Sequence, residues 1–170
     1  MFTQFENATR TITILSLVFV LTISVAWATI NTYSGSVIIE NGSNQKQAIQ
    51  IVQQGSDHIK AEIEAGSLDA YMVEENLNEV EVTCELTEEW VSDPNGDYYK
   101  MTFKFGPSGA FFDPYPLTLK IKGKWVADDT EFWLNDENGE AITGTRYDEA
   151  DMIKFEIDHF SSYYYERYNY

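Results

Sequence analysis

Residues 78–90 read NEVEVTCELTEEW, and this stretch decides the fold class. Apolar side chains occupy every second position, at Val80, Val82, Cys84 and Leu86, and mostly charged side chains lie between them. A period of two places successive side chains on opposite faces of an extended strand. The stretch therefore predicts a long β-strand with one buried and one solvated face.

The same alternation recurs along the chain at short intervals. It is present in SGSVIIE (34–40), HIKAEIEAGSL (58–68), DYYKMTFKFG (97–106), PLTLKIKG (116–123), TEFWLND (130–136) and DMIKFEIDHF (151–160). Two Asn-Gly stretches, VSDPNGD (91–97) and NDENGEAI (135–142), have the composition of tight hairpin turns. Many short strands, each with an apolar and a charged face, predict an all-β antiparallel sandwich or barrel.

One segment departs from this pattern. In SNQKQAIQIVQQG (43–55), Ala48, Ile49 and Val52 are spaced as on one face of a helix. We therefore expect a short helix or an irregular crossover at this point of the chain.

The first 28 residues have the organisation of an export signal. A polar region ends at Arg10, an apolar run covers residues 12–25, and Ala26-Trp27-Ala28 supplies the small-x-small pattern that signal peptidases accept. The run is shorter than the ~20 residues that a membrane-spanning helix needs. An uncleaved N-terminal anchor is the alternative. Both predict an extracytoplasmic protein, secreted, periplasmic or on the cell surface, with residues 29–170 as a single domain.

Acidic residues dominate the composition. The chain has 28 Asp and Glu against 11 Lys and Arg, for a formal net charge of −17. Glu6 and Arg10 cancel, so the excess lies after the leader. Such a surface repels nucleic acid and anionic lipid, and it favours solubility, cationic partners or a salty environment. Membrane contact is expected only through an uncleaved N-terminal segment, and the protein or cell-surface partner is not specified.

The sequence predicts no cofactor and no metal site. His58 and His159 are too far apart to ligate a metal by local spacing. Residues 93–97 and 135–140 place oxygen ligands around a glycine, as calcium loops do, but neither has the twelve-residue spacing with a terminal glutamate. A hairpin turn is the favoured interpretation of both.

A single cysteine and several aromatic residues remain as candidates. Cys84 cannot form an intramolecular disulfide, and we expect it to be a small buried residue rather than a nucleophile. Trp90, Trp125, Trp133 and the terminal tyrosines are candidates for a sugar-stacking platform, although aromatics with strand spacing are more often core or cross-strand pairs.

The second half of the chain resembles the ZU-five domain, the β-sandwich of zonula occludens proteins, netrin receptors and ankyrins. Residues 104–121, KFGPSGAFFDPYPLTLKI, are similar to that family's GP-x-G-x-x-F-x-x-P-hydrophobic-x-L-x-I segment. TEFWLNDENGEAITG (130–144) is similar to its later strand-turn-strand, and HFSSYYY (159–165) to its His-Phe-Ser-x-Tyr ending. The resemblance covers roughly Tyr98 to Tyr165 and implies an Ig-like antiparallel sandwich. Because the family's animal members are intracellular, their partners do not transfer to an exported chain.

Some relatives cut themselves between the Phe and Ser of this ending, which implies a candidate site at His159, Phe160 and Ser161. The Ser161 hydroxyl would attack the Phe160 carbonyl carbon, and His159 would act as general base. The reaction also requires a strained peptide bond. Alternatively, these residues are the corner where an apolar strand face ends. The broken alternation at residues 158–160 predicts a kink or bulge under either interpretation.

The sequence as a whole favours an exported acidic sandwich that acts as a surface or envelope interaction module, not an enzyme with an external substrate. A domain that cuts itself once between Phe160 and Ser161 is the first alternative. A carbohydrate-binding module is the second.

Overall fold

The alternating segments form the strands of two antiparallel sheets that pack face to face, as the all-β sandwich prediction requires. The computed structural model describes residues 30–92, 94, 96–126, 133–147 and 150–168. The six-stranded sheet contains, in spatial order, β1 (Ile30–Glu40), β4 (Glu79–Val91), β5 (Tyr98–Gly106), β11 (Ser162–Tyr168), β7 (Trp133–Asp136) and β8 (Ala141–Thr143). The five-stranded sheet contains β2 (Gln47–Gln54), β3 (Asp57–Ile63), β6 (Leu117–Lys122), β10 (Met152–Ile157) and β9 (Thr145–Tyr147).

The core lies between the inner faces of the two sheets. On β4 the four alternating residues of the opening stretch are all buried, and Leu86 is fully so. The facing sheet contributes rows that are in register across three strands, such as Ala61, Leu119 and Phe155. Burial of a leucine or phenylalanine side chain stabilises the fold by roughly 1.5–3 kcal/mol. The alternation therefore predicts the core residues of these strands correctly.

The expected helix or crossover at residues 43–55 is wrong, because this segment forms β2. A β-bulge between Gln50 and Val52 shifts its register against β3. As a result Ile49, Ile51 and Val52 are all buried, and strict alternation is lost. Because the bulge adds a residue, Ile49 and Val52 lie three positions apart and are both buried, which is also the spacing expected on one face of a helix. The described helix α1 (Asp69–Glu74) lies elsewhere, in a connection where no helix was expected, and buries Tyr71 and Met72.

Gly144 lets the chain pass from one sheet to the other between β8 and β9. A Cβ atom at this position would lie 2.6 Å from the Phe155 ring and 2.8 Å from the Ile153 side chain. Only a residue without a side chain can approach the core edge this closely. The crossing places Thr143 and Thr145 beside the outer face of the five-stranded sheet.

Both predicted hairpin turns connect paired strands. Val91 pairs with Tyr98 across the first turn, and Asn135 pairs with Ala141 across the second. In the second turn Gly139 has a φ of +83°, which favours glycine. The leader, residues 1–28, and the beginning of TEFWLND lie outside the described residues. In the described part of the chain, no helix has the length and apolar character needed to cross a membrane.

Candidate functional site

The segment from Asp158 to Ser161 is the corner at which the chain leaves the five-stranded sheet and enters the six-stranded sheet. β10 ends at Ile157 and β11 begins at Ser162. The predicted break in alternation thus coincides with a change of sheet.

The loop between β5 and β6 holds this corner from outside. The Phe112 N–H donates to the Asp158 carbonyl at 2.8 Å, and the Phe160 N–H donates to the Ala110 carbonyl at 2.7 Å. Phe160 is buried, and its ring meets that of Phe112 edge to face with centroids 4.7 Å apart. The two sequence segments that resemble the ZU-five domain are therefore in direct contact.

The His159 imidazole faces Asp158 and Tyr163. Its Nδ1 lies 2.7 Å from Asp158 Oδ1, and its Nε2 lies 3.4 Å from the Tyr163 hydroxyl. That hydroxyl donates to the His159 carbonyl at 2.8 Å. Both ring nitrogens thus have neighbours other than Ser161, and the ring would have to turn before it took a proton from the serine.

The Ser161 hydroxyl oxygen is buried and has no hydrogen-bond partner among the described residues. A buried polar atom of this kind is uncommon and costs about 1–3 kcal/mol. For comparison, the Ser161 carbonyl accepts a hydrogen bond from the Phe105 N–H at 3.1 Å. The backbone of Ser161 is therefore fixed by a hydrogen bond, whereas its side-chain oxygen has no hydrogen-bond partner among the described residues.

The backbone of the corner shows no left-handed residue. Among the described residues, the non-glycine residues with positive φ are Asn76 and Asp151. The dihedral strain that self-cleavage would use is thus not visible in φ at residues 158–161.

Acidic groups surround the corner. Burial raises the pKa of Tyr163, and the charges of Asp158 and Asp136 raise it further. Burial would also raise the pKa of Asp136, but hydrogen bonds from the Glu140 N–H and from Asn138 outweigh it and hold the pKa below its ordinary value. Asp136 therefore remains an anion that stabilises the β7–β8 turn.

A second polar site lies on the outer face of the five-stranded sheet. Lys60 on β3 is directly opposite Lys120 on β6, and Lys120 is directly opposite Lys154 on β10. We call these three residues the lysine row. Like charges that face each other across strands destabilise a sheet. The row therefore requires compensation from neighbouring groups.

Glu62 compensates the first two members of the row. Its Oε1 lies 2.8 Å from the Lys60 ammonium and 2.6 Å from that of Lys120, and its Oε2 lies 2.8 Å from that of Lys46. Burial alone would raise the pKa of this carboxyl, but hydrogen bonds from the three lysines lower it to about 2. Glu62 is thus a buried anion within a cationic surface.

Lys120 and Lys154 of the lysine row, together with Lys46, line an open cleft of about 530 Å³, which we call the lysine cleft. Lys154 lies at its edge with the ammonium 4.0 Å from the centre of the Tyr147 ring. No carboxylate among the described residues lies within 4.0 Å of this ammonium, unlike those of Lys60 and Lys120. The remaining lining combines hydroxyls and carboxylates; it includes Thr118, Thr143, Thr145, Glu64 and Glu156.

Sequence reasoning missed the lysine cleft. Lys60, Lys120 and Lys154 each occupy an outward position of a predicted strand, and that was the available signal. Their alignment depends on which strands are neighbours and in what register, and strand alternation does not specify either.

The proposed tryptophan platform is not assembled. Trp125 is buried, and its indole N–H donates to Glu88, an acid on the core face of β4. Trp90 and Trp133 are partly exposed on β4 and β7, with β5 and β11 between those strands. Glu88 itself was missed, although its position two residues after Leu86 falls on the inward face of the alternation.

The remaining sequence candidates lie apart from these two sites. Cys84 is buried as expected, and burial raises the pKa of its thiol. Within the described ranges, no three His, Cys, Asp or Glu side chains are grouped so as to hold a metal ion.

No family model, no curated protein and no solved structure matches this chain. The resemblance to the ZU-five domain therefore stays a prediction.

Proposed function

We propose that this chain is an exported β-sandwich interaction module, located outside the cytoplasm, that binds a cell-surface or envelope partner without chemical turnover. The lysine cleft is the observation that supports this role. The chain has a net charge of −17 and only 11 Lys and Arg, yet four of these cations (Lys46, Lys60, Lys120 and Lys154) lie together on one face. Glu62 compensates Lys60 and Lys120 but does not contact Lys154, and a binding role explains why a third lysine occurs in the row.

Binding to the envelope of the producing organism tests this role. The purified protein is mixed with the envelope fraction over a range of concentrations, and the sedimented share is measured. We expect saturable sedimentation that Lys154→Gln weakens. Lys104→Gln is the matched control, because it removes the same charge from the exposed face of the other sheet. Protein that stays in the supernatant at every concentration, or equal behaviour of the two variants, would contradict the proposal.

Self-cleavage between Phe160 and Ser161 is the second candidate, and the unpartnered Ser161 hydroxyl favours it. In this reaction the Ser161 oxygen attacks the Phe160 carbonyl carbon and gives up its proton to His159. The bond from that carbon to the Ser161 nitrogen then breaks, and the nitrogen takes the proton. Water finally hydrolyses the ester, which leaves a carboxylate on Phe160 and a free amine on Ser161.

The intact mass of the denatured protein tests this candidate against a Ser161→Ala variant. A fragment ending at Phe160, present in the parent and missing from the variant, would support self-cleavage. A native gel filtration run adds a specific expectation. Since β11 pairs with both β5 and β7 and buries Tyr163, the cut segment should remain bound until the protein is unfolded. An uncut chain in both samples would make the corner purely structural.

A further inference from the structure

We propose that the lysine cleft binds an acidic sugar residue, whose single carboxylate lies between the ammonium groups of Lys120 and Lys154. This inference rests on the proposed binding function and names the class of ligand.

The charge distribution of the cleft selects an anionic group at one place. Lys46 has a second carboxylate partner in Glu64 at 2.5 Å, whereas Lys60 and Lys120 both depend on Glu62, so this one carboxylate balances only part of their positive charge. Lys154 stands directly opposite Lys120 and has no carboxylate within 4.0 Å among the described residues. A ligand carboxylate between these two ammoniums would relieve the repulsion of the row.

The rest of the lining requires a ligand that also donates hydrogen bonds. Glu64 and Glu156 are carboxylates, which only accept hydrogen bonds when ionised, and one oxygen of Glu64 already accepts from Lys46 at 2.5 Å. Thr118 and Thr145 add hydroxyls that donate and accept. A sugar ring carries several hydroxyls that match these groups, and the cleft, at about 530 Å³, falls within the usual range of small-ligand sites.

The same groups disfavour ligands of higher charge. A phosphate or sulfate dianion would face the carboxylates of Glu64 and Glu156 as well as the lysines. A polyanion would in addition be repelled by the net charge of −17. Salt screens this repulsion beyond about 8–10 Å, so it acts on the parts of a polyanion that lie close to the surface. One carboxylate on an otherwise neutral, hydroxyl-rich molecule carries less negative charge and so lowers both costs.

A titration with a trisaccharide that carries one uronic acid residue tests the proposal, with the methyl ester of the same trisaccharide as the uncharged control. Amide signals of the labelled protein are followed by NMR. We expect saturable shifts at Thr118 and Thr145 with the acid and none with the ester. Loss of a charge-assisted contact in Lys154→Gln should weaken binding by about tenfold or more. Lys104→Gln, on the other sheet, should bind as the parent does.

Three results would overturn the proposal: no saturable shift at millimolar acid, equal binding of the ester, or equal binding by Lys154→Gln. Inorganic phosphate that displaced the acid with similar affinity would also overturn it, since the site would then recognise any small anion. Lysine-dependent sedimentation with the envelope distinguishes a wrong ligand class from a wrong interaction-module proposal. If it persists while the trisaccharide fails to bind, the interaction module stands and the ligand class is wrong.

Discussion

Glu62→Gln should destabilise the protein at neutral pH and clearly less at pH 3. The substitution keeps the shape of the side chain and removes its charge, which three lysines contact at 2.6–2.8 Å. Lys60 and Lys120 then face each other without an anion between them. The fold should therefore lose both the ion pairs and the compensation of the lysine row.

The magnitude follows from the pKa of Glu62. A fall from the ordinary 4.5 to about 2 corresponds to about 3 kcal/mol of preferential stabilisation of the ionised form. Lys46 is 47% exposed and Lys60 is 31% exposed, so water screens part of this interaction. We expect a loss of about 1–3 kcal/mol in the free energy of unfolding at pH 7.

The pH dependence has a definite sign. Because the pKa is lower in the folded than in the unfolded state, the contribution of Glu62 is fully present above about pH 4.5 and is lost as the pH falls towards 2. Urea unfolding of parent and variant at pH 7 and at pH 3 measures the difference between them. That difference should be largest at pH 7 and shrink markedly at pH 3.

Glu156→Gln is the matched control for this experiment. Glu156 lies on the same outer face, opposite the same residue, Thr118, but is exposed and has no lysine within 4.0 Å among the described residues. Its loss should change stability by less than about 0.5 kcal/mol. If Glu62→Gln behaves like this control at pH 7, or if its effect is the same at both pH values, the reasoning is wrong.

Three further predictions concern the core and the corner. Ser161→Ala should stabilise the uncut protein by about 1 kcal/mol in urea unfolding, because it removes a buried hydroxyl without a partner; a destabilised variant would contradict this. Gly144→Ala should cost about 1–3 kcal/mol, because the new Cβ would press on the Phe155 ring, whereas Thr143→Ala beside it should be nearly neutral. Cys84, at 1% exposure, should react with a maleimide in the unfolded protein and not in the folded one, as mass spectrometry would show; rapid labelling of the native state would place the thiol at the surface.

The segments that sequence reasoning predicted well are those in which one strand face is entirely apolar. In β4 and β10 the inward positions are aliphatic or aromatic, apart from Cys84 and Glu88, and the outward ones are mostly charged. The segments that were predicted wrongly also have identifiable physical causes. The bulge in β2 gives a strand the spacing of a helix, and Glu88 is buried because donors from Trp125 and Tyr33 meet it within the core.

The candidate sites were predictable to different degrees. His159, Phe160 and Ser161 stand together in the sequence, so a motif can single them out. The motif could not indicate that His159 faces Asp158 or that the Ser161 hydroxyl lacks a partner, since these depend on how the corner packs.

By itself, the sequence determined the two-faced strands, the hairpin turns and most of the core, because side-chain alternation is a local property with a period of two. Tertiary structure alone decided which strands are neighbours and in what register. That register aligns Lys60, Lys120 and Lys154, which are separated by 60 and 34 positions along the chain, into one row with Glu62 beneath it. The packing of the whole core selects which distant strands pair and in what register. The alignment of the outer-face residues follows from that pairing.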